Sequence, residues 1–220
     1  MTLVIAIDGP AGSGKSTTAK LLAKKLNFIY LDSGAMYRAV TLYFLNNSVN
    51  LEDFSKINES LKNMNLKIDF YNNKFSVFLN HEDVTECIRS QEINNLVSDV
   101  SKIGQVREKM VEIQRLFSTN QDIVVEGRDI GSHVFPKADF KFFLVADIIA
   151  RAKRRFQEIK DNKSVTISEL VLQLEKRDKI DSNREISPLI KANDALIVDT
   201  TLLSIDDQVN KLYNIITNNT

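Results

Sequence analysis

The sequence predicts an α/β fold, with a five-stranded parallel sheet flanked by helices. Five short apolar runs lack polar alternation, as expected for strands covered on both faces of a parallel sheet. Helical patterns lie between several of these runs, and the 220 residues are enough to bury a substantial core. The five runs are LVIAI (3–7), FIYL (28–31), IVVE (123–126), FKFFLVA (140–146) and ALIVD (195–199).

The first helix is predicted directly after the first strand. Ala19, Leu22, Ala23 and Leu26 recur at i, i+3, i+4 and i+7, which gives a helix one apolar face. Because FIYL follows this helix, the order is strand, helix, strand, which predicts a βαβ unit.

Two stretches interrupt this alternation. Residues 46–90 are rich in Asn and Lys, and within them residues 66–80 indicate two strands around the turn YNNK. Residues 147–194 are charged and helical, and Thr166 with Glu169 forms a capping box at the start of a helix. A polar helical excursion of this kind is typical of a lid.

Composition limits the partners and the compartment. The 29 basic and 29 acidic residues cancel, so the chain has no overall field to attract nucleic acid or an anionic membrane. The single cysteine, Cys87, excludes an intramolecular disulfide and suits a reducing cytosol. The apolar N-terminus lacks a basic region and a cleavage site, which favours a strand over a signal peptide. We therefore expect a cytoplasmic protein.

A phosphate-binding loop is predicted at GPAGSGKS (9–16), between the first strand and the first helix. Its glycines let backbone N–H groups turn towards an anion, Lys15 would reach the β- and γ-phosphates, and the Ser16 hydroxyl would bind Mg²⁺. A chance glycine-rich turn is the alternative, but strand and helix are both in place. The predicted ATP-binding residues are Gly9, Pro10, Ala11, Gly12, Ser13, Gly14, Lys15, Ser16 and Thr17.

This loop alone does not distinguish a kinase from a GTPase or a motor. A GTPase would need an Asn-Lys-x-Asp base reader, and NNKFS, DNKSV and VNKLY all lack the aspartate. The chain is also short for an ATPase with a mechanical element. A small kinase remains, and a kinase needs an acceptor site.

Charged and hydroxyl side chains at the carboxyl ends of other strands predict that acceptor site, because open α/β sheets bind ligands there. FIYL is followed by Ser33, Tyr37 and Arg38, and IVVE is followed by Arg128 and Asp129. Taken singly, each pair could be a surface ion pair worth under about 1 kcal/mol. Two further groups are the basic run Arg151, Arg154 and Arg155, and Arg177, Asp181 and Arg184, which share one face if their helix persists.

Several segments together resemble the bacterial cytidylate kinases, a nucleoside monophosphate kinase family of P-loop proteins. They are YLDSGAMYR, EGRDIG followed by VFP, RAKRR, RDKIDSNR and PLIKANDALIVDT, in this order. The resemblance extends from Ile5 to about Thr200 and is weakest over 46–90. It implies a P-loop NTPase-type core of residues 1–38, 91–147 and 190–220, a β-containing NMP-binding insert at 39–90, and a lid with substrate-contacting helices at 148–189.

The resemblance also assigns residues to CMP. Those that would hold its phosphate are Ser33, Arg38 and Arg128, with Tyr37 lining the pocket. Those that would contact the ribose and the phosphate are Arg177, Asp181 and Arg184. Those that would bind cytosine are Ser98, Arg107 and Asp129.

The cytosine assignment agrees with the chemistry of the base. Asp129 can accept from the exocyclic amino group, whereas Arg107 and Ser98 can donate to ring N3 and O2. Uracil would place O4 against Asp129, at a cost of about 1–3 kcal/mol, which favours CMP without excluding UMP. Ser98 and Arg107 are nine residues apart, so they converge only if the helix breaks between them, and Gly104 is the expected place.

The predicted activity is transfer of the γ-phosphoryl group of ATP to CMP, and to dCMP, with Mg²⁺ as cofactor. The residues predicted to act in catalysis are Lys15, Arg128, Arg151, Arg154 and Arg155. We expect a monomer without nucleic-acid or membrane partners. Two alternatives remain: a kinase for another small acceptor, such as adenylate, shikimate or dephospho-coenzyme A, and a regulatory module that binds ATP without transferring phosphate.

Overall fold

The computed structural model describes residues 2–71, 74–159 and 165–219. The strands are β1 (Val4–Asp8), β2 (Ile29–Asp32), β3 (Leu66–Tyr71), β4 (Lys74–Leu79), β5 (Glu82–Asp83), β6 (Ile123–Gly127), β7 (Phe140–Val145) and β8 (Leu196–Asp199). The α-helices are α1 (Lys15–Leu26), α2 (Ser33–Asn46), α3 (Phe54–Asn63), α4 (Gln91–Val100), α5 (Gly104–Phe117), α6 (Ile148–Glu158), α7 (Ile167–Asn183) and α8 (Ile205–Thr217). A short 3₁₀ helix spans Cys87–Arg89, and a π-helical turn spans Ile130–Val134.

The predicted five-stranded sheet is confirmed. Its strand order is β2-β6-β1-β7-β8, and each of the five apolar runs supplies one strand. β1 lies in the centre and pairs in parallel with β6 and with β7. Residues 5–8 and 123–127 are buried, because helices cover a parallel sheet on both faces. Asp8 and Gly127 are paired at the carboxyl ends of β1 and β6, where ligands bind in this fold class.

The chain divides into two compact units. Unit 1 comprises Met1–Ile29 and Gln121–Thr220, and unit 2 comprises Tyr30–Asn120. Unit 1 holds the phosphate loop and the strands after it, whereas unit 2 holds α2 to α5 and the smaller sheet. The boundaries predicted for core, insert and lid stay a prediction.

The smaller sheet in unit 2 confirms the predicted β insertion. β3 and β4 pair antiparallel from Leu66↔Leu79 to Tyr71↔Lys74, and β5 extends the sheet beside β4. Asn72 and Asn73, the centre of the predicted turn, lie outside the described residues. Tyr30 contacts Phe75 edge-on, with ring centroids 5.7 Å apart, and anchors the hairpin to the rest of unit 2.

The capping box that begins α7 is also confirmed. The Thr166 hydroxyl accepts from the Glu169 N–H at 3.2 Å, and the Glu169 carboxylate accepts from the Thr166 N–H at 2.7 Å. Leu170 and Leu174 pack with Ala11 of the phosphate loop and with Ala152 of α6. The predicted lid helices therefore share an apolar cluster with the phosphate loop. No helix in the described ranges combines the length and the apolar character needed to cross a membrane.

Candidate active site

The phosphate loop has the backbone that its glycines predict. Gly9 has φ 150°, and a Cβ atom there would lie 2.2 Å from the carbonyl oxygen of Leu144, so a larger residue would collide with β7. Gly14 has φ 86° and precedes α1, which begins at Lys15. The predicted context of strand, loop and helix is confirmed. Gly9, Ala11, Ser13 and Lys15 are buried, Pro10, Gly12 and Gly14 are partly buried, and Ser16 and Thr17 are exposed.

Glu126 links the two functional side chains of the loop. The Ser16 hydroxyl donates to Glu126 Oε1 at 2.7 Å, and Lys15 Nζ lies 3.9 Å from Glu126 Oε2. Lys15 Nζ also donates to the Pro10 carbonyl at 3.3 Å. A carboxylate at the end of β6 therefore holds both the ammonium group and the hydroxyl that were predicted to bind ATP and Mg²⁺.

Two ion pairs join the segment after β6 to the end of α7. Arg128 Nε donates to Asp181 Oδ2 at 2.8 Å, and Arg184 Nη2 donates to Asp129 Oδ1 at 3.3 Å. Asp129, Asp181 and Arg184 are buried, and the Arg128 side chain is 16% exposed. Because each member is largely buried, these are not the weak surface ion pairs that the sequence left open as an alternative to an acceptor site.

The helix α7 ends too early for Arg177, Asp181 and Arg184 all to lie on one helix face. α7 ends at Asn183, and Arg184 has extended backbone with φ −66° and ψ 140°. Arg184 also donates to the Ser187 carbonyl, which holds its side chain after the helix has ended. The guanidinium therefore reaches Asp129 from the segment after α7.

The electrostatics of unit 1 show a cluster of positive charge around Lys15. Burial, followed by repulsion from Arg128 and Arg177, lowers the pKa of Lys15 to about 7, although Glu126 and Asp181 act in the opposite direction. Burial alone would raise the pKa of Asp181, but Arg128 and Arg177 bring it below its ordinary value. A buried lysine repelled by guanidinium groups is typical of an anion-binding site, because an anion would remove the repulsion.

The basic run of α6 separates into two environments. Arg151 is buried, and its Nη1 donates to the Ala11 carbonyl at 3.0 Å and to Asp178 Oδ2 at 2.6 Å. Arg154 donates to the Thr200 hydroxyl at 3.2 Å and to the Thr200 carbonyl. Arg155 bonds Glu158 at 2.9 Å on the helix surface. Arg151 thus fixes the phosphate loop, and a catalytic role for each of the three stays a prediction.

In unit 2, Asp32 organises the residues predicted to hold the acceptor phosphate. Its carboxylate accepts from the Ala35 N–H at 2.8 Å and caps α2, which begins at Ser33. The same carboxylate lies 4.0 Å from Arg38 Nη1 and 3.5 Å from Arg89 Nη2. Arg38 Nε and Nη1 are buried and have no hydrogen-bond acceptor among the described residues. Such donors need an acceptor, which a bound phosphate would supply.

The expected helix break between Ser98 and Arg107 is confirmed. α4 ends at Val100, and α5 begins at Gly104. Arg107 is buried in the first turn of α5, and its Nη1 donates back to the Ser101 carbonyl at 3.2 Å. Its guanidinium carbon lies 5.6 Å from the centre of the Tyr37 ring. The break therefore turns Arg107 towards the end of α4, where Ser98 is also buried.

Comparison with known proteins identifies the family of this chain. The family model described as Cytidylate kinase matches residues 5–218. The chain belongs to the cytidylate kinase family. A cytidylate kinase of Fusobacterium nucleatum is 50% identical over 209 residues, which cover 94% of this chain and 94% of that protein. A cytidylate kinase of Bacillus subtilis is 47% identical, covering 96% of this chain and 94% of its own length.

Membership in the cytidylate kinase family confirms the resemblance found in the sequence. It does not favour a kinase for another small acceptor or a regulatory ATP-binding module. The solved structure of an uncharacterized protein from Eubacterium ventriosum has a TM-score of 0.53 and 13% identity. It covers 98% of this chain and 99% of its own, and this likeness concerns the fold alone.

Sequence reasoning missed four carboxylates that hold the predicted residues in place. Asp8, Asp32, Glu126 and Asp178 were assigned no role, although each contacts a predicted site residue or its adjoining backbone. Three of the four, Asp8, Asp32 and Glu126, lie at or next to the carboxyl end of a buried strand, and that position was the available signal.

Proposed function

We propose that this protein transfers the γ-phosphoryl group of ATP to CMP, and to dCMP, giving ADP and the nucleoside diphosphate. The observation that best supports this function is the positive cluster formed by buried Lys15 with the partly buried Arg128, which follows β6, and Arg177 of α7. A chain of the cytidylate kinase family has a direct use for such a cluster, because both substrates are phosphate anions. We further propose that the protein is a monomer and that it acts in the cytoplasm, the compartment that its single cysteine suits.

The residues around Ser16 fit a magnesium ion. The Ser16 hydroxyl and a Glu126 oxygen lie 2.7 Å apart, and hard oxygen donors are those that Mg²⁺ prefers. Within the described ranges, no group of three or more His, Cys, Asp or Glu side chains could hold a metal ion. We therefore assign the ion to Ser16 together with the phosphates of ATP. When bound, Mg²⁺ would neutralise charge on those phosphates.

On the donor side, the protein binds and orients the phosphates. The backbone N–H groups of residues 9–17, except at Pro10, surround them, and Lys15 neutralises the charge that spreads over the γ-phosphoryl group. Arg151 keeps this loop in shape through the Ala11 carbonyl and Asp178. Arg154 and Arg155 are proposed to exclude water and to add positive charge when the lid helices move.

On the acceptor side, we propose three tasks for the residues that the resemblance selected. Residues that bind the phosphate and line its pocket are Ser33, Tyr37, Arg38 and Arg128. Residues that contact the ribose and the phosphate are Arg177, Asp181 and Arg184. Residues that bind cytosine are Ser98, Arg107 and Asp129. The buried N–H groups of Arg38 and the break before α5 support this assignment.

The mechanism needs no general base. The nucleophile is a phosphate oxygen of CMP, and near neutral pH this oxygen is already ionised. Catalysis is then a matter of placing the two phosphates in line and offsetting the charge between them. Lys15, paired with Glu126, and Arg128, paired with Asp181, supply that charge without reorganising during the reaction.

A panel of acceptors tests the proposed function. The purified protein is incubated with ATP and Mg²⁺ and one of CMP, dCMP, UMP, AMP, shikimate or dephospho-coenzyme A, and ADP formation is followed. We expect the highest kcat/KM with CMP or dCMP and a lower value with UMP. Higher turnover with AMP, shikimate or dephospho-coenzyme A, or none with any acceptor, would contradict the proposal.

The lowered pKa of Lys15 predicts that ATP binding takes up a proton. With a pKa of about 7, Lys15 is mostly neutral at pH 8, and the phosphates favour its charged form. The affinity for ATP should therefore fall as pH rises above 7, by up to about tenfold per unit. Calorimetry with a non-hydrolysable ATP analogue at pH 8, in buffers of different ionisation enthalpy, measures this uptake.

Lys15→Arg is the control for proton uptake. Arginine stays protonated at this pH, so the buffer dependence should disappear. A binding enthalpy of the unmodified protein that is the same in every buffer would show that Lys15 is already charged without ATP.

Replacing Asp129 with asparagine should weaken the preference for CMP over UMP. An asparagine can donate to uracil O4, whereas the carboxylate can only accept. We expect the ratio of kcat/KM for CMP to that for UMP to fall about 5- to 150-fold, the range that corresponds to 1–3 kcal/mol. Asp99→Asn, on the exposed face of α4, is the matched control and should keep the ratio. An unchanged ratio in Asp129→Asn would exclude a contact between Asp129 and the base.

A further inference from the structure

Asp8 is a buried carboxylate without a role in the mechanism above. It ends β1 and directly precedes the phosphate loop, and only 4% of its surface is exposed. Its Oδ1 accepts from the Ile130 N–H at 2.8 Å, and its Oδ2 accepts from the Gly131 N–H at 2.8 Å. One side chain therefore bonds the backbone of a segment that lies more than a hundred residues away in the chain.

That segment carries two of the residues assigned to CMP. The π-helical turn Ile130–Val134 follows Arg128 and Asp129 directly, and Asp129 occupies the position that precedes the turn. The Asp129 side chain makes no capping hydrogen bond to the turn and pairs with Arg184 instead. Asp8 supplies the cap that Asp129 would otherwise give, which leaves the Asp129 carboxylate directed elsewhere.

Burying the Asp8 carboxylate costs free energy of folding, which argues against a purely structural role. Burial raises the pKa of Asp8 to about 7, although the N–H groups of Gly131 and Ile130 favour its charged form. Gly131 also packs closely on β7, since a Cβ atom there would lie 3.1 Å from Lys141 Cδ. The turn is therefore held by hydrogen bonds to β1 and by close packing on β7.

We propose that Asp8 is a positioning residue, which fixes the turn after Asp129 and so orients Arg128 and Asp129 towards the acceptor nucleotide. The inference rests on the proposed function. Asp8 also links the proposed ATP and CMP sites, because the residue that follows it is the first of the phosphate loop. Displacing catalytic groups by about 1 Å can cost about 10²-fold in rate.

Asp8→Asn tests this role. Asparagine is nearly the same size, but its amide group can accept from only one of the two N–H groups and opposes the other. We expect kcat/KM for CMP to fall about 10²-fold and the preference for CMP over UMP to shrink. The dissociation constant of a non-hydrolysable ATP analogue should change by less than about threefold, because the loop and Lys15 remain.

Asp122→Asn is the matched control. Asp122 Oδ1 accepts from the Leu3 N–H at 2.7 Å, so it also joins β1 to the β6 region, but at the amino end of β1. It should lower Tm and leave the kinetics with CMP unchanged. If Asp8→Asn behaves like Asp122→Asn while the unmodified protein phosphorylates CMP, the inference fails and the proposed function stands. If the unmodified protein does not phosphorylate CMP, the proposed function itself fails.

Gly131→Ala keeps the test decisive if Asp8→Asn does not fold. Its Cβ would lie 3.1 Å from Lys141 Cδ, and Lys141 is held by Asp194 and the Pro136 carbonyl. The substitution would therefore displace the same turn, while the buried carboxylate stays in place. A selective loss of kcat/KM for CMP, with ATP-analogue binding retained, supports the role of the turn. Kinetics equal to those of Asp122→Asn would overturn it.

Discussion

Replacing Arg128 with alanine is expected to lower kcat for CDP formation about 10²- to 10³-fold, the loss typical of removing one preorganised charge donor. Arg128 Nε donates to Asp181 at 2.8 Å, and its guanidinium is close enough to Lys15 to lower the pKa of the lysine. Arg128 would therefore lie beside the phosphates that we propose Lys15 binds. Burial alone would lower the pKa of Arg128, but Asp181 and Glu126 raise it, so the group carries a permanent charge.

The fold should survive this substitution better than the activity. Asp181 would lose its hydrogen-bonded partner, but Arg177 and Arg184 also stabilise its charged form, so the buried carboxylate stays compensated. Steady-state kinetics and Tm measured on the same preparation separate the two effects. Arg128→Lys should recover part of kcat, and Arg115→Ala, on the exposed side of α5, should have no effect.

One outcome would exclude a catalytic role for Arg128. If Arg128→Ala melts well below the unmodified protein while its remaining folded fraction is fully active, the arginine serves the fold alone. The ion pair with Asp181 would then be structural.

Replacing Lys15 with methionine is expected to lower kcat at least about 10³-fold without destabilising the protein. The ammonium group is buried and repelled by Arg128 and Arg177, so its charged form is unfavourable in the nucleotide-free fold. A methionine fills similar space without that charge.

The expected change in stability has a defined pH dependence. The pKa of Lys15 is lowered from 10.5 to about 7 in the folded state, so the folded protein bears the full penalty below pH 7. This loss of folding stability decreases as pH rises towards 10.5, where Lys15 of the unfolded chain also loses its proton. Lys15→Met should therefore have its largest gain in Tm, relative to the unmodified protein, at or below pH 7.

Lys20→Met is the control for Lys15→Met, because Lys20 is exposed in the same helix. It should leave both kcat and Tm nearly unchanged. More than a tenth of normal turnover in Lys15→Met would show that the lysine is not required for the transfer.

Most of the fold and the phosphate loop were predictable because their signals are local. The strands were contiguous apolar runs, and residues 9–16 carry the loop's whole pattern within eight positions. The break before α5 followed from the mismatch between a nine-residue spacing and one straight helix, and Gly104 begins the new helix. Each of these features depends on neighbouring residues in the chain.

The partners of the site residues were not predictable, because tertiary structure alone brings them together. Asp8 and Ile130 are 122 positions apart, and Arg151 and Asp178 are 27 positions apart. The basic run 151–155 gave no reason to separate Arg151, which is buried against the phosphate loop, from Arg155, which pairs with Glu158 on the surface. This difference arises from the packing of α7 on α6, which neither the charges nor the spacing of the basic run could indicate.

The most direct test of the central claim follows one phosphorus atom. The protein is mixed with ATP labelled at the γ-phosphate, Mg²⁺ and CMP, and the products are separated after a single turnover. We expect the label at the β-phosphate of CDP, in an amount equal to the ADP formed, and no such product with Lys15→Met. Label found only in free phosphate, at the same rate with and without CMP, would contradict the account and show that the chain hydrolyses ATP without an acceptor.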